Sequence, residues 1–238
     1  MLSAFAHAID RHEDLAWGQI LVTPFELGAW SLLEPMGDQN HAPQLCWIRP
    51  DLLGCVWMAG GGEGTAGMSI YLSFLSTECG CWGVPRCISQ DLERSEQNPL
   101  LFVSEGVLHL IHSAQRVRDA SDRGWADSNT SFSMQWTAVL RHQTLNVDAI
   151  NLDRPESWES QAWSAAKDLI ETPAFCRHPP HQSEDGTWLL PIYRSLEEGG
   201  SFGHDHSEVL HLDVAGIPMG DPISVPDSTG RVHGSIVP

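Results

Sequence analysis

Short apolar runs separated by turn residues recur along the chain and predict β-strands joined by hairpins. In the first unit, the runs at residues 45–48 and 52–58 flank Arg49-Pro50-Asp51, where proline and aspartate favour a tight turn. Two further runs, at residues 68–75 and around Cys87-Ile88, complete a group of four strands. Strands this short and this regularly spaced predict an all-β fold.

The same order of runs occurs twice more. The second unit has runs at residues 100–103 and 107–113 around the turn Ser104-Glu105-Gly106, and the third unit turns at Asp185-Gly186. An Asp-Gly pair between apolar runs is a strong hairpin signal. Only residues 158–170 have a pattern compatible with a helix, which we expect to be short.

A motif with a shared register opens each unit. Pro43, Pro99 and Pro179 each stand just before an apolar hairpin, and Gly234 takes the place of the proline in a fourth copy. Repeats of roughly 40 to 50 residues built from short strands are typical of propeller blades. A β-sandwich also has short strands at regular spacing, but its strands do not recur with matched motifs at matched offsets. We therefore predict a β-propeller.

The fourth copy, at residues 232–237, has the pattern of an opening strand with no blade after it. We therefore expect three to four blades in one domain over residues 1–238, incomplete at its C-terminal end. An edge strand of this kind is free to pair, so self-association through it is a further expectation. The longest interval between the motifs contains the polar residues 117–133, which we interpret as an inserted loop.

The chain is strongly acidic, with 31 Asp and Glu residues against 13 Lys and Arg residues and a formal charge of −18. This charge disfavours nucleic acid and anionic membrane surfaces as partners. All but one of the basic residues are arginine, whose guanidinium group binds carboxylates in a bidentate manner. A local arginine site is therefore compatible with an acidic sugar.

No motif in the sequence indicates a metal or a cofactor. The six cysteines lack the spacing of zinc ligands, and the glycine run at residues 60–64 lacks the Lys-Ser/Thr ending of a phosphate-binding loop. His204 and His206 alternate along an extended segment without a third ligand, so we interpret them as substrate contacts. Residues 1–18 lack the apolar core of a secretory signal, and no window is long enough for a membrane helix. We therefore expect a cytoplasmic protein.

One hairpin resembles a degenerate Asp-box, the Ser-x-Asp-x-Gly-x-Thr-Trp motif of sialidase and BNR-repeat propellers. In residues 76–82, Glu78 replaces the aspartate and one residue fewer precedes Trp82. The segments that strengthen the resemblance are Asn40-His41-Ala42-Pro43, Trp57 with the glycine run, Gln97-Asn98-Pro99 with Leu108-His109-Leu110, and Trp188-Leu189-Leu190-Pro191-Ile192-Tyr193. Together they make the chain similar to the bacterial predicted-neuraminidase branch of the sialidase superfamily, over about residues 38–238 and as a truncated member.

The resemblance implies a six-bladed propeller with an active site at the central axis. Sialidases clamp the sugar carboxylate with three arginines and use a Tyr–Glu nucleophile pair with an Asp acid/base. In this chain, Asn40-His41-Ala42-Pro43 replaces the arginine motif of the first blade. Arg177 occupies the matching opening of the third blade and Arg141 lies on a strand of the second, so we expect these two arginines to bind substrate.

Three residues are candidates for catalysis. His41 stands where a propeller strand begins beside the axis, and imidazole titrates near neutral pH. Glu63 follows three glycines at a hairpin tip, where the backbone can approach a ligand closely. Tyr193 shares the repeated hairpin with His41, either as a catalytic phenol or as part of the packing within a blade. The candidates for substrate binding are Asn40, Asn98, Arg141, Arg177, His178, His204 and His206.

These residues predict a sialidase-like protein that acts on carbohydrate. The leading interpretation is an exo-glycosidase that hydrolyses a terminal acidic or deoxy sugar from a glycan. One alternative is a polysaccharide lyase that eliminates across a uronic acid with His41 as the base. Another is a propeller that binds glycans without catalysis.

Overall fold

A computed structural model of the chain describes residues 17–22, 28–116, 135–195 and 204–237. The predicted inserted loop at residues 117–133 lies outside the described residues, as does nearly all of the N-terminal segment 1–18. Sixteen β-strands occur within the described ranges. In chain order they are β1 (Leu21–Val22), β2 (Ala29–Trp30), β3 (Gln39–Arg49), β4 (Leu52–Gly60), β5 (Ser69–Ser76), β6 (Cys81–Trp82), β7 (Arg86–Ser89), β8 (Arg94–Ser104), β9 (Val107–Arg116), β10 (Val139–Asn146), β11 (Lys167–Asp168), β12 (Phe175–Cys176), β13 (His181–Gln182), β14 (Trp188–Arg194), β15 (His206–Leu212) and β16 (Ile223–Ser224).

Fourteen of the strands form three successive antiparallel sheets, which confirms the prediction of an all-β fold built from repeated units, and β1 pairs with β2 in a separate two-stranded sheet. Blade 1 has the strand order β3-β4-β5-β6, with β7 also paired to β5. Blade 2 has the order β8-β9-β10-β11. In blade 3, β12 and β13 both pair with β14, which is followed by β15 and β16. This up-and-down order within consecutive units is that of propeller blades.

The blades pack face to face through two apolar cores. Between blades 1 and 2, Val56 and Ile70 pack with Leu108 and Leu110 in one cluster. On the opposite face of blade 2, side chains such as Ile111 pack against blade 3 in a second cluster. Because blade 2 has a neighbour on each side, β9 is buried along nearly its whole length. A strand buried on both faces does not alternate between polar and apolar residues.

The repeated sequence motif corresponds to a repeated irregularity of the innermost strand. The pairing register shifts between His41 and Gln44 in β3 and again in β8 just after Gln97. Ala42 and Asn98, which precede the two prolines, both have φ 52°, and His233 in the fourth copy has φ 59°. Such bulges bend a strand and re-aim its side chains. The motif therefore marks a bend in the inner strands of blades 1 and 2, while in blade 3 the inner strand is interrupted there, between β12 and β13.

The expected helix at residues 158–170 is wrong. This segment contains only 3₁₀ turns, such as Ser160–Ala162, before it enters β11. Trp158 and Trp163 are both buried in the core between blades 1 and 2, and the Trp163 Nε1 group donates to the Trp158 carbonyl. Two side chains five positions apart do not share one face of a helix. Burying both indoles therefore favours an irregular path.

Within the described ranges, no helix is long and apolar enough to cross a membrane. All six cysteines are free thiols. Burial raises the pKa of the Cys46 and Cys87 thiols to about 11 and that of Cys55 to about 12. These three thiols therefore stay protonated near neutral pH and act as small apolar groups.

A pair of histidines packs between blades 2 and 3. His109 Nδ1 and His142 Nε2 lie 2.9 Å apart, and the two rings are stacked, with Phe102 on the other side of His109. Burial lowers the pKa of both imidazoles to about 4, and His142 contributes to the shift at His109. Gly216 covers this pair with φ +73°, and a Cβ added to it would lie 2.9 Å from His109 Nδ1.

We expect Gly216→Ala to destabilise the protein more than Gly106→Ala. Gly106 has a similar φ of +77°, but an added Cβ would meet nothing within 4 Å. In the Gly106→Ala control, the free energy of unfolding should therefore fall only by about 1–2 kcal/mol, which is the cost of placing alanine in a left-handed conformation. Gly216→Ala adds a collision in a packed interface, for a total of about 2–4 kcal/mol. Urea denaturation of the two variants measures the free energy of unfolding. Equal decreases would contradict the prediction, because they would show that His109 and His142 can move away from the added methyl group at no cost.

Candidate active site

Polar residues collect at one end of the three blades, which we call the upper end. β3 begins there at Gln39, β8 at Arg94 and β12 at Phe175. In an antiparallel blade, the link from the second strand to the third returns to the end where the first strand begins. The loop at residues 61–68, between β4 and β5, therefore lies at this same end. It carries Glu63.

The Glu63 loop is held by hydrogen bonds to the starts of two inner strands. The Glu63 amide donates to Gln39 Oε1 at 2.8 Å, and the Gly64 amide donates to Ser95 Oγ at 3.1 Å. Ser95 is fully buried and also accepts from Gln97 Nε2 at 3.2 Å. Glu63 itself is exposed. The loop is thus fixed through its backbone, which leaves the carboxylate free to face a ligand.

Tyr193 lies at the end of β14, close to several of the predicted residues. Its ring stacks on Phe175 at a centroid distance of 5.2 Å and meets the His233 ring edge-on at the same distance. Burial raises the pKa of the phenol, and Cys176, Asp205 and Glu63 raise it further, while Arg177 opposes them. Tyr193 pairs with Phe175 at the start of β12, so it lies at the upper end of blade 3, the end at which Arg177 and the Glu63 loop also lie.

Arg177 and His178 follow β12 in the gap before β13, and both are half-buried. Burial lowers the pKa of His233, and the charges of Arg177 and His178 lower it further. Among the described residues, no carboxylate oxygen lies within 4.0 Å of the Arg177 guanidinium nitrogens. By the same measure, Arg194 reaches Glu208 at 3.6 Å. Arg177 therefore has no internal ion pair within the part of the chain that is described.

Arg141 is placed differently from Arg177. Its guanidinium contacts Asp91 at 2.7 Å, Glu96 at 3.7 Å and Asp168 at 3.8 Å, between blades 1 and 2. His206, the other predicted substrate contact with a charged partner, lies 3.1 Å from Glu208. The Arg141 guanidinium and the His206 imidazole are therefore already paired with carboxylates of the protein, so they are less available to bind a ligand. The structure does not bring Arg141 into the cluster around Tyr193.

The predicted asparagines make contacts within the fold. Asn40 Oδ1 accepts from the Met36 amide at 3.0 Å and from Trp57 Nε1 at 3.3 Å. Asn98 occupies the left-handed bulge of β8, where its carbonyl accepts from the Cys176 thiol at 3.3 Å. His41 is exposed beside a small pocket on blade 1, and His204 is exposed on blade 3.

Sequence reasoning missed a buried carboxyl group at the upper end. Glu96 is fully buried, and its Oε1 accepts from Ser89 Oγ at 2.8 Å and lies 3.8 Å from His112 Nε2. Burial raises the pKa of Glu96 to about 7, although Ser89 and Arg141 act to lower it. Burial and the Arg141 charge lower the pKa of His112 to about 4. The only signal in the sequence was that Glu96 stands just before the Gln97-Asn98-Pro99 motif.

No metal centre is formed by these groups. Across the described ranges, no cluster of three or more His, Cys, Asp or Glu side chains is arranged to hold a metal ion. The upper end instead combines an arginine, histidines, a tyrosine and an exposed carboxylate. This combination can bind an anion and move a proton.

The fold and this polar end define the chain as an arc of a β-propeller with a candidate site where the inner strands begin. The family described as "BNR repeat-like domain" matches residues 51–217. The chain therefore belongs to the BNR repeat-like domain family, which confirms the resemblance found in the sequence. A search of curated proteins finds no significant match.

Solved structures with similar folds are sialidases and related proteins. The Hadza microbial sialidase Hz136 has a TM-score of 0.52 at 13% identity, covering 72% of this chain and 35% of that one. Trypanosoma rangeli sialidase in complex with 2,3-difluorosialic acid has a TM-score of 0.52 at 8% identity, covering 88% and 33%. The α-L-arabinofuranosidase from Lactobacillus brevis has a TM-score of 0.54 at 17% identity, covering 82% and 60%. These likenesses show a sialidase-type propeller fold. This chain spans about a third of the length of each of the two sialidases.

We expect Glu96→Gln to stabilise the protein above neutral pH. The folded-state pKa of about 7 exceeds the ordinary value of 4.5, so folded Glu96 keeps a proton that the unfolded chain loses. Stability from this group is therefore full below pH 4.5 and falls as the pH rises through 7. Glutamine cannot ionise, and the variant should gain about 2–3 kcal/mol over the wild type at pH 8 but little at pH 4.5.

Chemical denaturation of both proteins across this pH range measures that difference. The control is Glu93→Gln, which changes an exposed glutamate and should show no pH-dependent gain. A constant offset between Glu96→Gln and the wild type at every pH would contradict the shifted titration.

Proposed function

We propose that the upper end binds the acidic terminal sugar of a glycan and hydrolyses its glycosidic bond. The observation that carries the proposal is Arg177, a half-buried arginine beside Tyr193 and His233 with no carboxylate partner among the described residues. The chain carries an excess of acidic groups, with a formal charge of −18. An arginine held apart from these carboxylates is suited to bind an anion from outside.

Binding would pair the substrate carboxylate with the Arg177 guanidinium. Arginine and carboxylate form two parallel hydrogen bonds, which fix the orientation of the sugar as well as its position. The half-buried position of Arg177 strengthens this contact relative to a fully solvated pair. Nearby His178 can add a further hydrogen bond to the same sugar.

Tyr193 and Glu63 supply the groups for the bond-breaking step. The raised pKa of Tyr193 keeps its phenol neutral near neutral pH. A neutral nucleophile avoids repulsion from the carboxylate of an acidic sugar. As the Tyr193 oxygen bonds to the anomeric carbon and the glycosidic C–O bond breaks, Glu63 takes the phenolic proton and the leaving oxygen takes a proton from a water molecule. The hydroxide that remains then attacks the anomeric carbon, which releases the free sugar, and the Tyr193 oxygen regains its proton from Glu63. The similar folds of two sialidases support this assignment of chemistry.

A second candidate function is glycan binding without catalysis. Most glycosidases place two carboxyl groups about the scissile bond. Beside Tyr193, Glu63 is exposed, whereas Asp205 is buried and accepts a hydrogen bond from Ser195 Oγ. Only one of the two carboxylates is therefore free to act, which favours binding alone.

We expect Arg177→Met to weaken the binding of acidic sugars. Loss of the guanidinium removes the bidentate contact, which corresponds to at least about a tenfold loss of affinity. Calorimetric titration with N-acetylneuraminic acid and with glucuronic acid measures this. The control is Arg49→Met, which removes a partly exposed arginine from the turn between β3 and β4, at the opposite end. Equal affinity in the Arg177 variant and the wild type would exclude this residue as the carboxylate ligand.

We expect Glu63→Gln to lose hydrolysis while it retains sugar binding. The substitution keeps the backbone amide that bonds to Gln39 but removes the base, for an expected 10²- to 10⁴-fold loss of rate. Release of the terminal sugar from a panel of acidic glycans measures the rate. If wild-type protein binds these glycans and releases nothing, the binding function replaces the hydrolase. Ultraviolet absorbance from an unsaturated product would instead indicate a lyase.

A further inference from the structure

Two of the six cysteines stand two positions apart in the hairpin between β5 and β6. Cys79 and Cys81 flank Gly80, and both cysteines are exposed. The Thr77 amide of this hairpin donates to the carbonyl of Asp51, in the turn between β3 and β4, at 3.0 Å. The pair therefore lies at the end of blade 1 opposite the candidate active site.

The backbone between the two cysteines is bent. Gly80 lies in a turn with φ +64°, and its amide donates to the Ser76 carbonyl at 2.9 Å. Across an extended residue, the two flanking Cα atoms would lie about 6.7 Å apart. A turn shortens this distance, and a disulfide needs Cα atoms about 4.4–6.8 Å apart. The turn at Gly80 therefore suits a disulfide between Cys79 and Cys81.

Both cysteines line one pocket, which has a volume of about 270 Å³. Phe74 and Trp158 contribute apolar walls, and Arg86 contributes a positive charge. The volume is slightly below the roughly 300 Å³ of typical ligand pockets, so the pocket suits a small molecule or one end of a larger one. A molecule bound there lies against both cysteines.

The other four cysteines are less accessible than this pair. Cys55 and Cys176 are buried, and Cys46 and Cys87 are partly buried. Burial raises the pKa of the Cys176 thiol to about 12, as it does for Cys55. Because the thiolate is the reactive form of cysteine, such thiols react slowly near neutral pH. Exposure therefore distinguishes the two cysteines that are also adjacent in the fold.

A pair of thiols can bind a metal ion or be oxidised. Zinc sites in proteins use three or four side chains as ligands. Throughout the residues that the structure describes, no group of three or more His, Cys, Asp or Glu side chains is placed to hold a metal. Oxidation to a disulfide needs only the two thiols, so the arrangement favours disulfide chemistry.

We propose that Cys79 and Cys81 form a redox-active dithiol that reduces low-molecular-weight disulfides. One cysteine thiolate attacks a sulfur of the small disulfide, which breaks its S–S bond, forms a mixed disulfide with the protein and releases one small thiolate. The second cysteine attacks the protein sulfur of the mixed disulfide, forms the Cys79–Cys81 bond and releases the second small thiolate. The two cysteine protons pass to the two released thiolates, and two electrons pass from the protein to the small disulfide.

The test treats the reduced protein with oxidised glutathione and follows its intact mass after quenching with acid. The variants are Cys79→Ser and Cys81→Ser. The control is Cys87→Ser, which removes a partly buried thiol from the next strand, β7. Peptide mapping locates each modified cysteine, and thermal unfolding checks that each variant is folded.

We expect the wild type to lose the mass of two hydrogen atoms and to regain it with dithiothreitol. Each single variant should instead retain one glutathione, with at least about tenfold more mixed disulfide than the wild type. The reason is that a second thiol in the same turn has a high effective concentration. Cys87→Ser should behave as the wild type does.

Three results would overturn the proposal. The first is a wild type that accumulates glutathione on Cys79 and Cys81 without closing to a disulfide. The second is a wild type that does not react at either cysteine. The third is an internal disulfide that joins any other pair of cysteines, which would persist in one or both single variants.

Discussion

Face-to-face packing of the blades is the constraint on which the rest of the structure depends. A propeller sheet is buried from both sides, and β4 and β9 accordingly have almost no exposed residue. Each central strand must therefore supply apolar side chains in both directions. Blade 2 meets this requirement fully because it lies between two cores. On the far face of blade 1, Leu33 and Met36 cover Cys55 and Trp57, while Leu45 and Trp47 of the inner strand stay 60% and 57% exposed.

Packing between the blades changes character toward the upper end. There the apolar rows give way to Glu96, His112 and Arg141 between blades 1 and 2. Burying such groups is costly unless they are paired or neutral. Glu96 meets this condition because its carboxyl group stays protonated up to about pH 7. His112 meets it because its imidazole stays neutral down to about pH 4. These polar side chains therefore contribute to the packing between blades 1 and 2 beneath the candidate site and do not form part of its ligand-binding surface.

The sequence predicted the repeated motif and most strands because these depend on local chemistry. The left-handed residues before Pro43 and Pro99 were not predicted, since the residue before a proline usually adopts an extended conformation. Whether Arg177 and Arg141 pair with carboxylates inside the fold depends on which side of a blade each side chain faces. A strand buried on both faces has no polar–apolar alternation to reveal this direction. For the same reason, nothing in the sequence showed that Glu96 would be buried or that Trp158 and Trp163 would prevent a helix.

The scaffold positions the Glu63 loop through backbone hydrogen bonds, without any hydrogen bond or ion pair from the described part of the chain that would restrain the Glu63 carboxylate. Gly60 and Gly67 approach so closely that an added Cβ on Gly60 would collide with the Gly67 carbonyl oxygen. This approach closes the loop at its base, and the bonds to Gln39 and Ser95 hold its tip against two inner strands. Since those strands belong to different blades, the position of the carboxylate is set by the packing of blade 1 on blade 2. Glycine at position 60 is therefore required by the close backbone approach, and the strands beneath the loop define the position of the exposed Glu63.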